Sequence, residues 1–367
     1  MQRCVNVIGV GMSPFSPVAL SPGLDTLISA TVLQALRDAN VPASACARVL
    51  VASDPIEGAT LQRALQRVGL AGAPLQHCPQ DAVEGRILIA RARQAILLGQ
   101  AECVLVLGVQ AALAAPASVT TLAPLGVTAC EYMRRYQARP ETFAMIAVKA
   151  RQHAALNPLS AFSQVLSLDQ VLQAGMIAEP LTHPQFAWPS VGVAAVLLCS
   201  GEFATRHCPG PKVRMLAQAC VSPLHVSGQE PGSNFGVGYD LNVAAARELY
   251  ELAGRGPQEV GVCELHDSST LGELLLYEAL GLCPEGDAEK LVEDGDNTYG
   301  GNLVVNPSGG LLSLGQAAAA SPLAQCIELV HQLRGSAARR QVVDAQLALQ
   351  HQTGTDGTVI ATLYQRD

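Results

Sequence analysis

The sequence predicts an α/β protein built from two duplicated βαβαβαββ halves. These pack as a five-layered α-β-α-β-α sandwich, with a lobe of loops inserted into the first half. Short apolar runs rich in β-branched residues alternate with longer helical patterns along most of the chain, as in sheets covered by helices. The order of strands and helices in the first half recurs in the second. With 367 residues, of which 49% are hydrophobic and 15% charged, the chain can form more than one lobe.

The first half opens with a short buried strand and continues with alternating helices and strands. Its first helix is amphipathic and ends at Asn40 and Pro42. The helix that starts at Ala82 is apolar over most of its surface, which predicts a central, buried position. The predicted strands of this half lie at residues 5–11, 47–53, 103–109 and 193–199, and its helices at 24–39, 60–68 and 82–100.

The regular pattern stops before the last of these strands. Proline, threonine and irregular helical stretches there indicate an inserted lobe. Further on, three adjacent breakers, Pro209, Gly210 and Pro211, make residues 201–212 the predicted linker between the halves. The predicted domains are a first half (1–113, continued by 189–207), an inserted loop domain (114–188) and a second half (208–367).

The second half repeats the programme of the first. Its strand at residues 260–265 corresponds to the strand at 47–53, and the helix after Gln316 corresponds to the buried helix at 82–100. Such a repeat indicates an internal duplication. The predicted strands of this half lie at 213–218, 260–265, 345–350 and 358–364, and its helices at 240–254, 271–280 and 321–335.

Composition argues against a nucleic-acid-binding or membrane protein. Lys and Arg number 23 against 31 Asp and Glu, a net charge of -8, and aromatic residues are only 4%, so no basic surface is expected. No apolar run reaches the roughly 18 residues of a membrane span. The first residues predict a strand rather than a signal peptide, and the last carry no peroxisomal address, so a cytoplasmic protein is expected.

The eleven cysteines are scattered singly through apolar segments, without any CxxC pair. This usage is typical of reduced thiols in the core of a protein in a reducing compartment. Because the spacing of metal-binding cysteines is missing, no metal site is expected.

A polar cluster follows the predicted strand at residues 260–265. It reads His266-Asp267-Ser268-Ser269-Thr270 and precedes a leucine-rich helix. Polar side chains at the mouth of a buried strand are where α/β folds keep their chemistry, and histidine is the residue type there that titrates near neutral pH. A second loop, NPSGGLLSLGQ at residues 306–316, has the same setting, and we expect both loops to face one pocket.

Several long motifs of the second half resemble those of the thiolase superfamily, and specifically its sterol-carrier-protein branch. They are ELHDSST, YEALGLCPEG, GDNTYGGNLVVNPSGGL, LAQCIELVHQLRG and ALQHQTG, and the first half agrees more loosely. The resemblance implies the thiolase fold over nearly the whole chain. It also implies a coenzyme A thioester as substrate or ligand, no permanently bound cofactor, and a homodimer.

The chain departs from the family at three of four catalytic positions. A gapless alignment on Pro74 and Gly85 puts Ala82 where the family has its nucleophilic cysteine. Gln316 stands where the family has the histidine of a Gly-His-Pro loop, and Ser268 replaces the second cysteine of an HDCF loop. His266 alone is retained. The resemblance therefore implies that covalent acyl transfer is lost, because alanine cannot attack a thioester. Cys78, four residues earlier, is either a buried structural thiol or an alternative nucleophile.

An oxyanion-binding arrangement is predicted to remain. It comprises His266, the amide of Gln316, and backbone N–H groups around Ala82 and Gly354. Ser268 is a poor proton shuttle without a neighbouring base. The predicted substrate-binding residues are Asn306, Gly309, Gly310 and Gly354. The glycines at 309 and 310 are predicted to keep backbone close to a bound ligand, and Asn306 to orient a water molecule or the loop.

Two charged residues, Glu84 and Arg86, lie beside the former nucleophile position, where the family has small or hydroxylated residues. One interpretation is that they pair with each other or with the inserted lobe. The other makes Glu84 a replacement acid or base.

Two functional hypotheses follow from the resemblance. The first is an enzyme of the acyltransferase family that acts on acyl-CoA in lipid or sterol metabolism, without standard thiolase activity. Its reaction would be decarboxylation, retro-aldol cleavage or feeble acyl transfer. The second is a non-catalytic acyl-CoA-binding or structural subunit, a pseudoenzyme that partners an active thiolase or a small OB-fold protein.

Overall fold

The computed structural model describes residues 3–20, 23–54, 58–77, 84–115, 117–208, 210, 212–223 and 238–367. The predicted nucleophile position, Ala82, and the alternative nucleophile, Cys78, lie outside the described residues. The strands are β1 Val5–Met12, β2 Arg48–Ser53, β3 Leu75–His77, β4 Cys103–Gln110, β5 Met176–Ala178, β6 Leu181–Thr182, β7 Gly192–Ser200, β8 Val213–Val221, β9 Val262–Glu264, β10 Val304–Val305, β11 Leu347–Thr353 and β12 Val359–Arg366.

Ten of these strands form one sheet, and β5 pairs with β6 alone. The described helices cover both faces of the ten-stranded sheet and form the inserted lobe. They are α1 Leu24–Ala39, α2 Gly58–Arg67, α3 Gly85–Leu97, α4 Val119–Tyr136, α5 Pro140–Ala154, α6 Leu168–Leu172, α7 Gly201–His207, α8 Tyr239–Ala253, α9 Thr270–Ala279, α10 Ala288–Glu293, α11 Gly310–Leu314 and α12 Ser321–Arg334.

The sheet shows the predicted duplication directly. Its ten strands run in the order β10-β9-β11-β12-β8-β1-β7-β4-β2-β3. Read outward from the seam between β1 and β8, the first half gives β1-β7-β4-β2-β3 and the second β8-β12-β11-β9-β10, so each strand has a counterpart. The halves join through two residue pairs, Asn6 with Arg214 and Val7 with Val213. The predicted fold class is confirmed.

Helices α3 and α12 form the central layer between the two halves. Leu88 and Ile89 of α3 and Leu323 and Ile327 of α12 belong to one apolar cluster and are at most 2% exposed. Burial of each such side chain stabilises the fold by about 1.5–3 kcal/mol. Helices α1 and α2 cover the outer face of the first half, and α8 and α9 that of the second, which completes the five layers.

The inserted lobe packs on the second half. Helix α5 contacts α9, α10 and α11, and Tyr132 and Phe143 lie in the same buried cluster as Leu274 of α9. Lys149 of α5 forms an ion pair with the fully buried Glu273 of α9. The lobe is thereby fixed next to the loops that follow β9 and β10, while the exact domain limits stay a prediction.

The predicted linker at residues 201–212 is wrong in its first part, which forms helix α7. Ser200 caps this helix, because its hydroxyl accepts a hydrogen bond from the Phe203 backbone at 3.1 Å. The Phe203 side chain is 8% exposed and anchors the helix on the first half. A capped helix start therefore precedes the proline-rich breakers.

The described part of the chain lacks two features by which other functions are recognised. None of its helices is both long and apolar enough to cross a lipid bilayer. Within the same residues no three histidine, cysteine or acidic side chains are grouped as metal ligands.

Candidate active site

A cavity of about 320 Å³ lies at the carboxyl ends of β9 and β11, against the start of α3. It is bounded by an apolar wall that includes Leu275, Leu276 and Leu311. Such a cavity, with an apolar wall and a few polar groups, is typical of a small-molecule site. Five residues predicted as site residues line it: Glu84, His266, Ser268, Gln316 and Gly354.

Residues at the starts of four helices line this cavity. They are Glu84 before α3, Tyr239 at the start of α8, Gly272 in the first turn of α9 and Ser321 at the start of α12. Helix α9 also lines it with Leu275 and Leu276, so the flank of this helix runs along the cavity. The site is therefore built from elements of both halves.

His266 follows β9 and points its ring into this space. The ring makes no hydrogen bond to another described residue, so both nitrogens are available to a ligand. Burial lowers the pKa of His266 to about 4; the nearby Glu84 opposes this shift and Arg86 adds to it. The imidazole is therefore neutral at pH 7 and presents one N–H donor and one acceptor nitrogen.

His351 of β11 lies behind His266 as a second neutral histidine. Its Nε2 lies 2.7 Å from Oδ1 of Asn242, and its Nδ1 has no partner among the described groups. Burial, together with His266, lowers the pKa of His351 to about 3. Since Asn242 itself lines the cavity, this pair stabilises the wall beside α8.

Asp267 fixes the polar loop instead of facing the ligand. Its carboxylate accepts hydrogen bonds from the backbone of Leu311 at 2.7 Å and Leu312 at 3.2 Å, which caps the start of α11. Gly310 allows this approach, because a Cβ there would lie 2.1 Å from the Asp267 Oδ2. The two loops predicted to face one pocket are thus bonded to each other.

Asn306 and the glycines after it do not line the cavity. The side chain of Asn306 is fully buried; it accepts from the Leu265 backbone at 2.7 Å and donates to Glu273 at 3.0 Å. Gly309 packs against Ala154 of α5. This geometry makes them supports of the loop that carries His266, and their predicted contact with a ligand remains a prediction.

Gln316 and Ser268 offer free polar groups at the cavity wall. The backbone N–H of Gln316 donates to the carbonyl of Trp188 at 2.8 Å, which fixes the loop while the side chain stays exposed. The Ser268 carbonyl accepts from Ala187 at 2.9 Å. Neither side chain has a hydrogen-bond partner in the part of the chain that is described, so both remain open to a ligand.

Glu84 and Arg86 pair with each other, as one of the two interpretations stated. The Arg86 Nε donates to Glu84 at 2.6 Å, and its Nη2 to Asp356 at 2.9 Å. The second Glu84 oxygen accepts from the backbone and the hydroxyl of Thr355. The guanidinium lies over Gly354, where a Cβ would be 1.6 Å away. The β11–β12 turn is thereby held at the start of α3.

Two glutamines of the site were missed by the sequence reasoning. Gln325 of α12 and Gln352 of β11 line the cavity and are only 2% and 3% exposed. The available signal was the run Gln350-His351-Gln352 inside an otherwise apolar strand. Three consecutive polar side chains in a buried strand require partners on both faces of the sheet.

Comparison with known proteins identifies relatives along the whole chain. The family description "Thiolase C-terminal domain-like" matches residues 239–363. The chain is 38% identical to sterol carrier protein 2 of Bos taurus, covering 100% of this chain and 73% of that protein. It is 31% identical to benzoylsuccinyl-CoA thiolase subunit BbsB of Thauera aromatica, covering 96% and 95%. A solved structure described as Ltp2-ChsH2(DUF35) aldolase superposes with a TM-score of 0.82 at 23% identity, covering 99% of this chain and 98% of that one, and shares the fold.

Proposed function

Because the chain belongs to the thiolase superfamily, among the relatives of sterol carrier protein 2, we propose that its cavity binds an acyl-CoA thioester of lipid metabolism. The thioester oxygen is held by His266 and Gln316, and no acyl group is transferred to the protein. The relative from Thauera aromatica is named as a CoA thiolase subunit, which supports a thioester as the ligand.

The observation that carries this proposal is a cavity with an apolar wall whose polar side holds a neutral histidine, His266, and the free amide of Gln316. When a bond next to a thioester breaks, negative charge collects on the thioester oxygen as an enolate. Fixed donors and dipoles aimed at that oxygen stabilise the charge, and one such donor changes rates by roughly 100- to 1000-fold.

The proposed chemistry is the breaking of a carbon–carbon bond that leaves an enolate. Decarboxylation and retro-aldol cleavage both do so without a covalent acyl-enzyme. Feeble acyl transfer is the third reaction kept open. The residue at the nucleophile position, Ala82, has no attacking group, and among the described residues no base bonds the Ser268 hydroxyl to activate it.

We assign Glu84 a structural role in this proposal. Both of its oxygens are engaged, one by Arg86 and one by Thr355. A carboxylate whose two oxygens are both held in this way is poorly placed to move to a substrate. The hypothesis that Glu84 replaces the lost catalytic groups gains no support from the geometry.

The second candidate is an acyl-CoA-binding subunit without activity of its own, a pseudoenzyme. One observation favours it: the two described ionisable groups best placed as a base are compromised, since Glu84 is paired and His266 has a pKa of about 4. Its partner would be an active thiolase or a small OB-fold protein.

We further propose that the chain forms a homodimer through β3. This strand is an edge of the ten-stranded sheet, and its three residues, Leu75 to His77, are all exposed. An exposed edge strand presents unpaired backbone groups to a second sheet, and a two-fold axis places like strands side by side.

Calorimetric titration with CoA, acetyl-CoA and acetoacetyl-CoA tests the proposed ligand. We expect both thioesters to bind, and His266→Ala to weaken thioester binding about tenfold while binding of free CoA, which lacks the oxygen, stays the same. The matched control is His207→Ala, which removes an exposed histidine of α7. If neither thioester binds at millimolar concentration, the proposal is wrong.

Three incubations, with radiolabelled acetyl-CoA, with malonyl-CoA and with a 3-hydroxyacyl-CoA, separate the candidate roles. We expect no protein-bound label after denaturation, and release of carbon dioxide from malonyl-CoA or of an aldehyde from a 3-hydroxyacyl-CoA if the protein is an enzyme. Binding without either release supports the non-catalytic subunit. Stable labelling of the protein would contradict the loss of the nucleophile.

A further inference from the structure

We propose that Gln352 is a specificity residue that accepts a hydrogen bond from a hydroxyl on the acyl group, so that the cavity selects 3-hydroxyacyl thioesters over 3-oxoacyl thioesters. This inference rests on the proposed function and names its substrate class. It comes from the orientation of two buried amides, those of Gln352 at the end of β11 and of Gln325 on α12.

The orientation of the first amide is fixed by the backbone. Gln325 Nε2 donates to the carbonyl oxygen of Leu265 at 2.9 Å. A backbone carbonyl only accepts hydrogen bonds, so the NH₂ group of Gln325 must face Leu265 and its oxygen must face away from it. Leu265 directly precedes His266, so this hydrogen bond connects the Gln325 amide to the loop that carries His266.

The orientation of the second amide follows from the first. Gln352 Nε2 donates to the Oε1 of Gln325 at 2.8 Å. Because that partner atom is an acceptor, Gln352 must also turn its NH₂ group toward Gln325. The chain Gln352 to Gln325 to the Leu265 carbonyl thus leaves one orientation for each amide.

The remaining oxygen of Gln352 is open to the cavity. No described donor bonds to this oxygen, and the oxygen is accessible instead of fully buried. Gln352 is only 3% exposed and lines the cavity, so its accessible oxygen faces this space. An unpaired acceptor in a desolvated wall favours a ligand that brings a donor and disfavours one that brings another acceptor.

The other polar groups of the wall complement this acceptor. His266 and Gln316 supply donors for the thioester oxygen, whereas Asn242 has its oxygen occupied by His351. A hydroxyl on the third acyl carbon donates to the Gln352 oxygen, whereas a ketone oxygen at the same carbon would face it without a proton between them. Since the amide is held in one orientation, it also distinguishes the two enantiomers of that carbon.

The first test compares four ligands by calorimetry on the unaltered protein: butyryl-CoA, acetoacetyl-CoA and the two enantiomers of 3-hydroxybutyryl-CoA. We expect one enantiomer to bind about three- to tenfold more tightly than butyryl-CoA, the worth of one net hydrogen bond. Acetoacetyl-CoA should bind more weakly than that enantiomer. Equal binding of all four overturns this inference and leaves the proposed function standing, whereas failure of all four to bind overturns both.

The second test assigns the preference to the residue. In Gln352→Met the preferred enantiomer should fall to the affinity of butyryl-CoA, while the affinity for butyryl-CoA itself is unchanged. The matched control is Gln350→Met, two residues earlier on the same face of β11. Gln350 does not line the cavity, and both ends of its amide are occupied, by the Pro322 carbonyl and the Tyr364 hydroxyl. A preference that survives in Gln352→Met, or that is lost in Gln350→Met, contradicts the assignment.

Discussion

The hydrogen bonds of its neighbours fix the backbone of His266 and leave its ring free, and the proposed role depends on this. The backbone on its N-terminal side is held by Asn306 and Gln325, which bond the N–H and the carbonyl of Leu265, and Asp267 on its other side is bonded to α11. The ring itself has no described partner and is desolvated. A neutral imidazole in such a place donates a hydrogen bond to an oxyanion without itself changing charge.

The first prediction concerns how His266 affects stability at different pH. Its pKa in the folded chain is lowered to about 4, against about 6.5 when unfolded. Above about pH 7.5 the histidine is neutral in both states and contributes almost no pH dependence. As the pH falls through 6.5 toward 4, only the unfolded chain takes up the proton, and stability is lost.

Urea unfolding at pH 7 and pH 5 measures this effect. We expect the wild type to lose about 1 to 2 kcal/mol more over this interval than His266→Gln, which has no group to titrate there. The comparison within each protein cancels the other titrating groups. Equal losses would place the pKa of His266 in the folded chain near its ordinary value.

At the scale of elements, the cavity depends on a turn held from outside its own hairpin. The turn between β11 and β12 is bonded to Glu84 and Arg86 at the start of α3, through Thr355 and Asp356. Arg86 is 3% exposed and Asp356 is 60% exposed, so the pair with Glu84 is the better shielded of the two. Gly354 completes the arrangement because the guanidinium occupies the space of a Cβ.

The second prediction tests this arrangement by a double-mutant cycle. Gly354→Ala should lower the free energy of unfolding by about 2–3 kcal/mol, because the added methyl group displaces Arg86 from both carboxylates. In an Arg86→Ala background the same change should cost clearly less, because only the Asp356 carboxylate, 2.6 Å from the added Cβ, still has to move.

The control for the cycle is Gly175→Ala, where an added Cβ meets no atom within 4 Å. Chemical denaturation of all four proteins gives the coupling energy. Equal costs of Gly354→Ala in both backgrounds would show that Arg86 does not occupy the space described.

Particular elements show what sequence reasoning reached and where it stopped. His266, Ser268 and Gln316 were found because short loops after buried strands are local features of the sequence. Gln325 and Gln352 were missed because their pairing joins α12 to β11, which no local pattern reveals. The helix after Ser200 was missed because the breakers that follow it outweighed its cap. Propensity and periodicity predict local secondary structure, whereas the partners of side chains depend on how elements distant in sequence pack together.

At the scale of the whole molecule, the duplication explains where the cavity lies. Helices α3 and α12 are counterparts in the two halves, and residues at the start of each line the cavity. A site between two related helices draws residues from both halves. The segment matched to the thiolase family, residues 239–363, therefore contains most of the cavity but not its α3 wall.

The third prediction concerns the proposed homodimer. We expect light scattering to give the molar mass of a dimer for the wild type and that of a monomer for the double variant Leu75→Glu, His77→Glu. The reason is that like charges on the exposed edge strand repel across a two-fold axis. The control is Leu98→Glu, which places the same charge at a leucine that is 64% exposed elsewhere on the surface. A monomeric wild type would contradict the proposal.

The central position of α3 and α12 has a consequence for how the chain is made. The ribosome completes α3 more than two hundred residues before α12. Until α12 is made, the face of α3 that packs on it is uncovered, whereas the opposite face packs on β2 and β4 of its own half. The growing polypeptide therefore exposes one apolar helix face until its last α-helix is added, and its folding depends on whatever shields that face in the meantime.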